Sequence, residues 1–222
     1  MNPLNEIPDP KNTKAFEIVR TAIERLKRDK PFVIGITGAG GAGKTTFGNN
    51  IMKYYGSKNC ISIDLDDYLI SREERGKLGL SGYNPRANKM FLVRANIEDL
   101  AARKTISKPC YDHSTGKILP DEIITPKEII VIEGVTTLYS ELRDLSDISF
   151  FLDALEETQI KSRVERDVKQ RGYSLEEALT LYEALKPEYK RFIEPTRKFA
   201  SVIFEVGSDY ILHPMHMAEK FK

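Results

Sequence analysis

The feature that most restricts this chain is an apolar, β-branched run, Val33-Ile34-Gly35-Ile36-Thr37, that ends in Gly38-Ala39-Gly40-Gly41-Ala42-Gly43-Lys44-Thr45-Thr46. A helix-permissive segment follows. Strand, glycine loop and helix in that order are the context a P-loop requires. Gly38, Gly40, Gly41 and Gly43 let the backbone turn with its N–H groups pointing inward and no Cβ in the way. With Ala39, Ala42 and the first helical residues Lys44, Thr45 and Thr46, those donors form a cradle for a polyphosphate. The Gly-x-x-x-x-Gly-Lys-Thr spacing assigns Lys44 to the β- and γ-phosphates and the Thr45 hydroxyl to Mg²⁺. A nucleoside triphosphate is the expected ligand.

The rest of the composition narrows the class. A chain of 222 residues suits a single α/β domain over residues 1–222, large enough to bury a sizeable core. Lys and Arg total 34 against 33 for Asp and Glu, so a net charge of +1 makes no electrostatic case for nucleic acid or an anionic membrane. Residues 1–9 are polar and carry two prolines, which does not read as a signal peptide. No apolar run approaches the roughly twenty residues a membrane span needs. Cys60 and Cys110 lack metal-ligand spacing and read as reduced thiols in a cytoplasmic enzyme.

Taken in order, residues 12–30 read as an amphipathic helix, with Ala15, Ile18 or Val19, Ala22, Ile23 and Leu26 on one face and Arg20, Glu24, Lys27 and Arg28 on the other. A strand over 32–37 delivers the P-loop, and the helix over 44–55 carries Phe47, Ile51 and Met52 at core spacing. The second strand, 59–64, runs into Leu65-Asp66-Asp67-Tyr68. Ligands of open α/β sheets lie beyond the carboxyl ends of the strands. Asp64, Asp66 and Asp67 sit at such an end, where one of them could accept the proton of an attacking hydroxyl; the residues alone do not single one out. Residues 70–88 have no sustained period, 90–102 read as a helix built on Phe91, Ile97 and Leu100, and 106–118 read as two short strands around a Ser-Thr-Gly turn. This stretch, about 70–120, is an excursion from the main sheet that borders an acceptor pocket, with His113 read as a structural or exposed turn residue. The third strand, 128–134, ends at Glu133, a charge after four apolar residues that fits a place near Mg²⁺ or its waters. A fourth strand, 148–152, precedes a charged helical segment with Arg163, Arg166 and Arg171, either a solvated face or a lid of about 156–173 that closes over phosphates. A helix over 175–186 and a fifth strand, 201–206, complete the chain.

With those residues in view the chain resembles the uridine kinase and phosphoribulokinase family of P-loop kinases. Leu65-Asp66-Asp67-Tyr68 is similar to the family's Asp-x-Phe-Tyr, and Lys108-Pro109-Cys110-Tyr111-Asp112 to its Pro-x-Tyr-Asp. Val131-Ile132-Glu133-Gly134 with Leu142-Arg143-Asp144-Leu145, Arg163-Val164-Glu165-Arg166-Asp167 with Arg171-Gly172, and the segment through Pro187 and Phe192-Ile193-Glu194-Pro195 follow the same pattern. The resemblance implies a five-stranded parallel sheet flanked by helices, with ATP and Mg²⁺ serving phosphate transfer to the hydroxyl of a small molecule. It implies Asp66 as general base with Asp64 as runner-up, Arg163, Arg166 and Arg171 as lid residues facing phosphate, and Tyr68, Tyr83 and Tyr111 with Asp66 and Arg166 around the acceptor. Two departures concern the acceptor. Tyr83-Asn84-Pro85-Arg86-Ala87 stands where the family's nucleoside kinases have Asp-His-Pro-Asp-Ala, whose first Asp holds ribose, and their His-x-Arg after Pro-x-Tyr-Asp is replaced by His113-Ser114-Thr115-Gly116-Lys117. A nucleoside is the first acceptor expected; the alternatives are a sugar, sugar phosphate or vitamin precursor, Arg72, Arg75, Lys77 and Arg86 suiting a charged one. A nucleotide-binding regulatory module is the reading from another class, although Asn88-Lys89-Met90-Phe91 lacks the final Asp of a guanine-reading element. Assembly into a homo-oligomer is left open.

Overall fold

The computed structural model describes residues 7–26 and 29–221. The expected first helix is present as α1 (Thr13–Arg25), while its continuation over Lys27 and Arg28, like residues 1–6, lies outside the described residues. The central sheet is built from β1 (Phe32–Gly38), β2 (Cys60–Asp64), β5 (Ile129–Glu133), β6 (Ile148–Ala154), β7 (Val202–Val206) and β8 (Leu212–Met217). Their order is β2-β5-β1-β6-β7-β8; the first five are parallel and β8 runs antiparallel to β7. A separate hairpin pairs β3 (Ile106–Asp112) with β4 (Lys117–Ile124). The helices are completed by α2 (Lys44–Tyr55), α3 (Arg72–Leu78), α4 (Met90–Ala101), α5 (Glu156–Arg171) and α6 (Leu175–Glu188).

Alternation along β1 explains the two layers. Ile34 and Ile36 join a cluster with Phe16 and Val19 of α1, Phe47 and Ile51 of α2, and Phe150 and Phe204. Val33 points the other way, into a cluster with Val93, Ile97 and Leu100 of α4. A strand covered on both faces must be apolar at every position, and β1 and β5 are buried throughout. Phe150 and Phe204 stack at 5.7 Å and Phe47 meets Phe150 edge-on at 5.5 Å; each such ring contributes on the order of 1.5–3 kcal/mol by leaving water. Because β5 and β2 lie on one side of β1 and β6 and β7 on the other, the sheet changes direction at β1, which opens a crevice at its carboxyl end.

The five expected parallel strands are all present, and the structure adds four features. β8 is a sixth strand that interrupted hydropathy concealed; Pro214 is tolerated because an edge strand can spare an N–H. α3 sits inside the region read as irregular: it has no buried residue and is held by its ends, Ser71 Oγ accepting from Glu74 N at 3.2 Å and Gly79 adopting φ 61°. Phe91, taken above as part of the buried face of α4, is 89% exposed; that face is Met90, Val93, Asn96, Ile97 and Leu100. α6 passes Pro187 and continues through a π turn (Tyr189–Ile193) into a 3₁₀ segment (Glu194–Phe199), where the sequence placed its end at residue 186. No described helix is long and apolar enough to cross a membrane.

Candidate active site

The P-loop leaves β1 at Gly38, whose φ is 139° and where a Cβ would stand 2.3 Å from the Leu152 carbonyl of β6. Gly41 and Gly43 also have positive φ, 87° at each, so the turn depends on glycine. Lys44 folds back over the loop and donates to the Gly38 and Ala39 carbonyls at 3.1 and 3.0 Å. Burial lowers its pKa, against the pull of Glu133 and Asp66. An incoming phosphate would take the place of those two carbonyls and, by its charge, act against the effect of burial.

Parallel register brings Glu133 at the end of β5 beside Asp64 at the end of β2, with Ile36 of β1 on its other side. Thr45 Oγ1 donates to Glu133 Oε1 at 2.7 Å. Burial raises the pKa of Glu133, with Lys44 and Thr45 acting in the opposite sense. Asp64 is raised further, by burial and then by the charges of Asp66 and Glu133. Carboxylates crowded in this way favour a cation. Among the described residues no three acidic, His or Cys side chains gather closely enough to hold a metal by themselves. The donor set fits Mg²⁺ held jointly by Thr45, phosphate oxygens and water, with Glu133 behind them.

The three aspartates separate into three environments. Asp64 caps the one-turn helix Leu65–Tyr68, its Oδ1 accepting from Asp66 N at 2.8 Å. Asp67 turns away to the hairpin, paired with Lys108 and accepting from Tyr111 N at 2.9 Å. Only Asp66, about one third exposed, faces the crevice without a hydrogen bond to its carboxylate among the described residues; its Oδ2 lies 3.9 Å from His113 Nε2. Tyr68, expected beside the acceptor, is corrected by the structure: it is fully buried in the core, and its hydroxyl accepts from Asn96 Nδ2 at 3.0 Å.

The opposite wall comes from α5. Arg163, Arg166 and Arg171 converge on Asp167, which has no exposed surface, at 3.6, 3.0 and 3.2 Å. Asp167 was not singled out from the sequence, yet its four-residue spacing from both Arg163 and Arg171 puts all three on one helix face and was available as a signal. His113 was also undervalued. Its Nδ1 accepts from Arg171 Nη2 at 3.2 Å, which leaves the proton on Nε2, toward Asp66. Burial lowers its pKa, while Asp66 pulls it upward. Arg75 donates to Tyr111 Oη at 2.8 Å, and Arg72 donates to the His113 carbonyl at 2.6 Å, so α3 braces the hairpin turn.

These groups enclose one cavity of about 370 Å³. Gly40, Lys44, Thr45, Asp66, Tyr83, Tyr111, Glu133, Arg163, Arg166 and Arg171 all border it. The profile of the phosphoribulokinase and uridine kinase family matches residues 33–212. The chain belongs to that family. As a member of it, the chain is 36% identical over 180 residues to the phosphoribulokinase of Synechocystis sp., a match covering 80% of this chain and 54% of that one. It is 35% identical over 191 residues to the uridine kinase of Ligilactobacillus salivarius, covering 82% and 89%. The chain thus spans about half the length of the phosphoribulokinase and most of the uridine kinase. Among solved structures, a putative fructose transport system kinase from Silicibacter sp. superposes with a TM-score of 0.69 at 17% identity, covering 81% of this chain and 93% of that one. D-glycerate 3-kinase from Cryptococcus neoformans superposes at 0.66 and 16% identity, covering 90% and 96%. These two likenesses establish the P-loop kinase fold.

Proposed function

We propose that this family member transfers the γ-phosphate of ATP to a hydroxyl of a small acceptor that itself carries an anionic group, most simply a sugar phosphate. The observation that carries the choice of acceptor is the sorting of charge along the cavity. Asp64, Asp66 and Glu133 border it from the carboxyl ends of β2 and β5, whereas Arg72 and Arg75 border it from α3, where they hold the hairpin residues His113 and Tyr111. A hydroxyl delivered to Asp66 would leave a distal phosphate or carboxylate among those guanidinium groups, which suit such anions by their planar donor forks. A neutral nucleoside would bring Arg72 and Arg75 no negative charge, and their present partners are neutral carbonyl and hydroxyl oxygens.

In this reading the P-loop amides and Lys44 hold the β- and γ-phosphates. Mg²⁺, when bound with the nucleotide, neutralises phosphate charge and orients the terminal group. Thr45 would ligate it, with Glu133 reached directly or through water. Asp66 accepts the acceptor's hydroxyl proton, and Asp64 holds the turn that aims it. Arg163, Arg166 and Arg171 meet charge that grows on the transferred group, kept in place before the reaction by Asp167.

The test is ADP release from Mg-ATP with a panel of nucleosides, pentoses, sugar phosphates and vitamin precursors, with Lys44→Ala as the inactive control. Turnover that rises only with phosphorylated or acidic acceptors is expected, and Arg75→Met should raise the KM of that acceptor about tenfold with little change in the KM for ATP. Turnover with nucleosides alone would overturn the anionic acceptor in favour of a uridine kinase-like one. Nucleotide binding with no acceptor-stimulated turnover would favour a regulatory module.

A further inference from the structure

The hydroxyl of Tyr83 is engaged with a lid arginine. Tyr83 Oη accepts from Arg163 Nη1 at 2.9 Å. The guanidinium carbon lies 5.9 Å from the Tyr83 ring and 5.8 Å from the Tyr182 ring of α6, so the charge has two aromatic rings beside it. Arg163 is 6% exposed, and its Nε reaches Asp167 only at 3.6 Å and makes no hydrogen bond. The Tyr83 hydroxyl is therefore the hydrogen-bond partner found for this buried charge among the described residues.

Tyr83 is itself fixed at both its carbonyl and its N–H. Its carbonyl accepts from Tyr139 Oη at 2.6 Å, its N–H donates to Ser81 Oγ at 3.0 Å, and the Ser81 hydroxyl donates to Glu188 at the end of α6. The pair is stationed at the P-loop. A Cβ placed on Gly40 would come within 3.0 Å of Tyr83 Oη and 3.3 Å of Arg163 Nη1. Gly40 is the third residue of Gly38-Ala39-Gly40-Gly41-Ala42-Gly43-Lys44-Thr45, so the guanidinium stands against the glycine loop that the reading above assigns to the phosphates.

We propose that Tyr83 is a positioning residue for Arg163, its hydroxyl holding the guanidinium over Gly40 where it meets the γ-phosphate. This rests on the reading above that the P-loop receives ATP. A guanidinium already oriented needs no reorganisation when the nucleotide arrives, and the aromatic walls keep water from screening it. Because Tyr83 belongs to the segment between α3 and α4, the acceptor side of the cavity sets the geometry of an arginine on the nucleotide side.

The experiment compares calorimetric affinities for Mg-ADP and for the Mg complex of the imido analogue of ATP. Their ratio reads what the γ-phosphate gains and needs no knowledge of the acceptor. Arg163→Met should shrink that ratio about thirtyfold, Tyr83→Phe roughly fivefold, and the double variant no more than Arg163→Met alone, with ADP affinity little changed. Thermal melting shows which variants fold, and Arg163→Lys, which keeps the charge without the planar fork, stands in if Arg163→Met does not. A full ratio in Tyr83→Phe, or additive losses in the double variant, would overturn the proposal and leave Tyr83 as a direct substrate contact. A wild-type protein that binds neither nucleotide would overturn the functional reading itself, and this proposal with it.

Discussion

At the P-loop end of the cavity the working groups are attached to the sheet, whereas at the far end they are attached to one another. Lys44, Thr45, Asp64 and Glu133 stand on or next to β1, β2 and β5, of which β1 and β5 are buried throughout and β2 in part. Arg72, Arg75 and His113 stand on α3 and on the hairpin turn, where apolar contacts are few and hydrogen bonds set the geometry. Packing density makes the first end a fixed template. The second can be rebuilt with little cost to the core, which is where a family with one chemistry and several acceptors would be expected to vary.

The sharpest way to break this comparison is at Asp66. Asp66→Asn should lower kcat a hundredfold or more and spare ATP affinity, because it removes a proton acceptor without touching the P-loop. Asp64→Asn should cost less in rate; a larger loss there would move the base to Asp64 and dissolve the distinction drawn between the two.

The next effect is at Asp167, the buried carboxylate of α5. Asp167→Asn leaves three arginines around a neutral group, so unfolding by urea should show a loss on the order of 3 kcal/mol, and kcat should fall about tenfold or more as the guanidinium groups disperse. An unchanged denaturation midpoint would mean that packing, and not this ion cluster, holds the arginines of α5.

The smallest effect is a pH dependence at His113. Its folded-state pKa lies below the ordinary value of 6.5, so protonation disfavours the folded form. The contribution is therefore complete above about pH 6.5 and is lost as pH falls through and below that value. Asp64 and Glu133, raised by burial, act oppositely, their folded forms gaining relative stability as pH falls toward the ordinary carboxylate range. The difference in melting temperature between wild type and His113→Gln, followed from pH 7.5 to pH 5, isolates the histidine and should narrow as the pH drops. A flat difference would place His113 outside any titrating role.

Much of the nucleotide end was legible from residues alone. A P-loop needs glycine where φ is positive or where another strand passes closely, as at Gly38, Gly41 and Gly43, and a strand covered on both faces needs an unbroken apolar run, as in β1 and β5. These are local backbone requirements, and local sequence records them. The helix limits at Gly56 and Gly172 belong to the same class. By contrast α3 has no apolar face for periodicity to detect, and Phe91 matches a helical period while pointing to solvent.

What only the tertiary structure decided is which member of each cluster does what. Leu65–Tyr68 is a one-turn helix with about three residues per turn, so Asp66, Asp67 and Tyr68 leave it in three directions: crevice, hairpin and core. Three adjacent side chains of similar promise in the sequence therefore meet three different environments. His113 follows the same rule, since its partners come from the one-turn helix after β2 and from α5. The sequence by itself determined that this chain builds a phosphate cradle at the end of a buried strand, because glycine and β-branched residues impose their conformations locally. Which carboxylate faces the crevice, and which arginines turn toward it, depended on contacts between segments far apart in the chain.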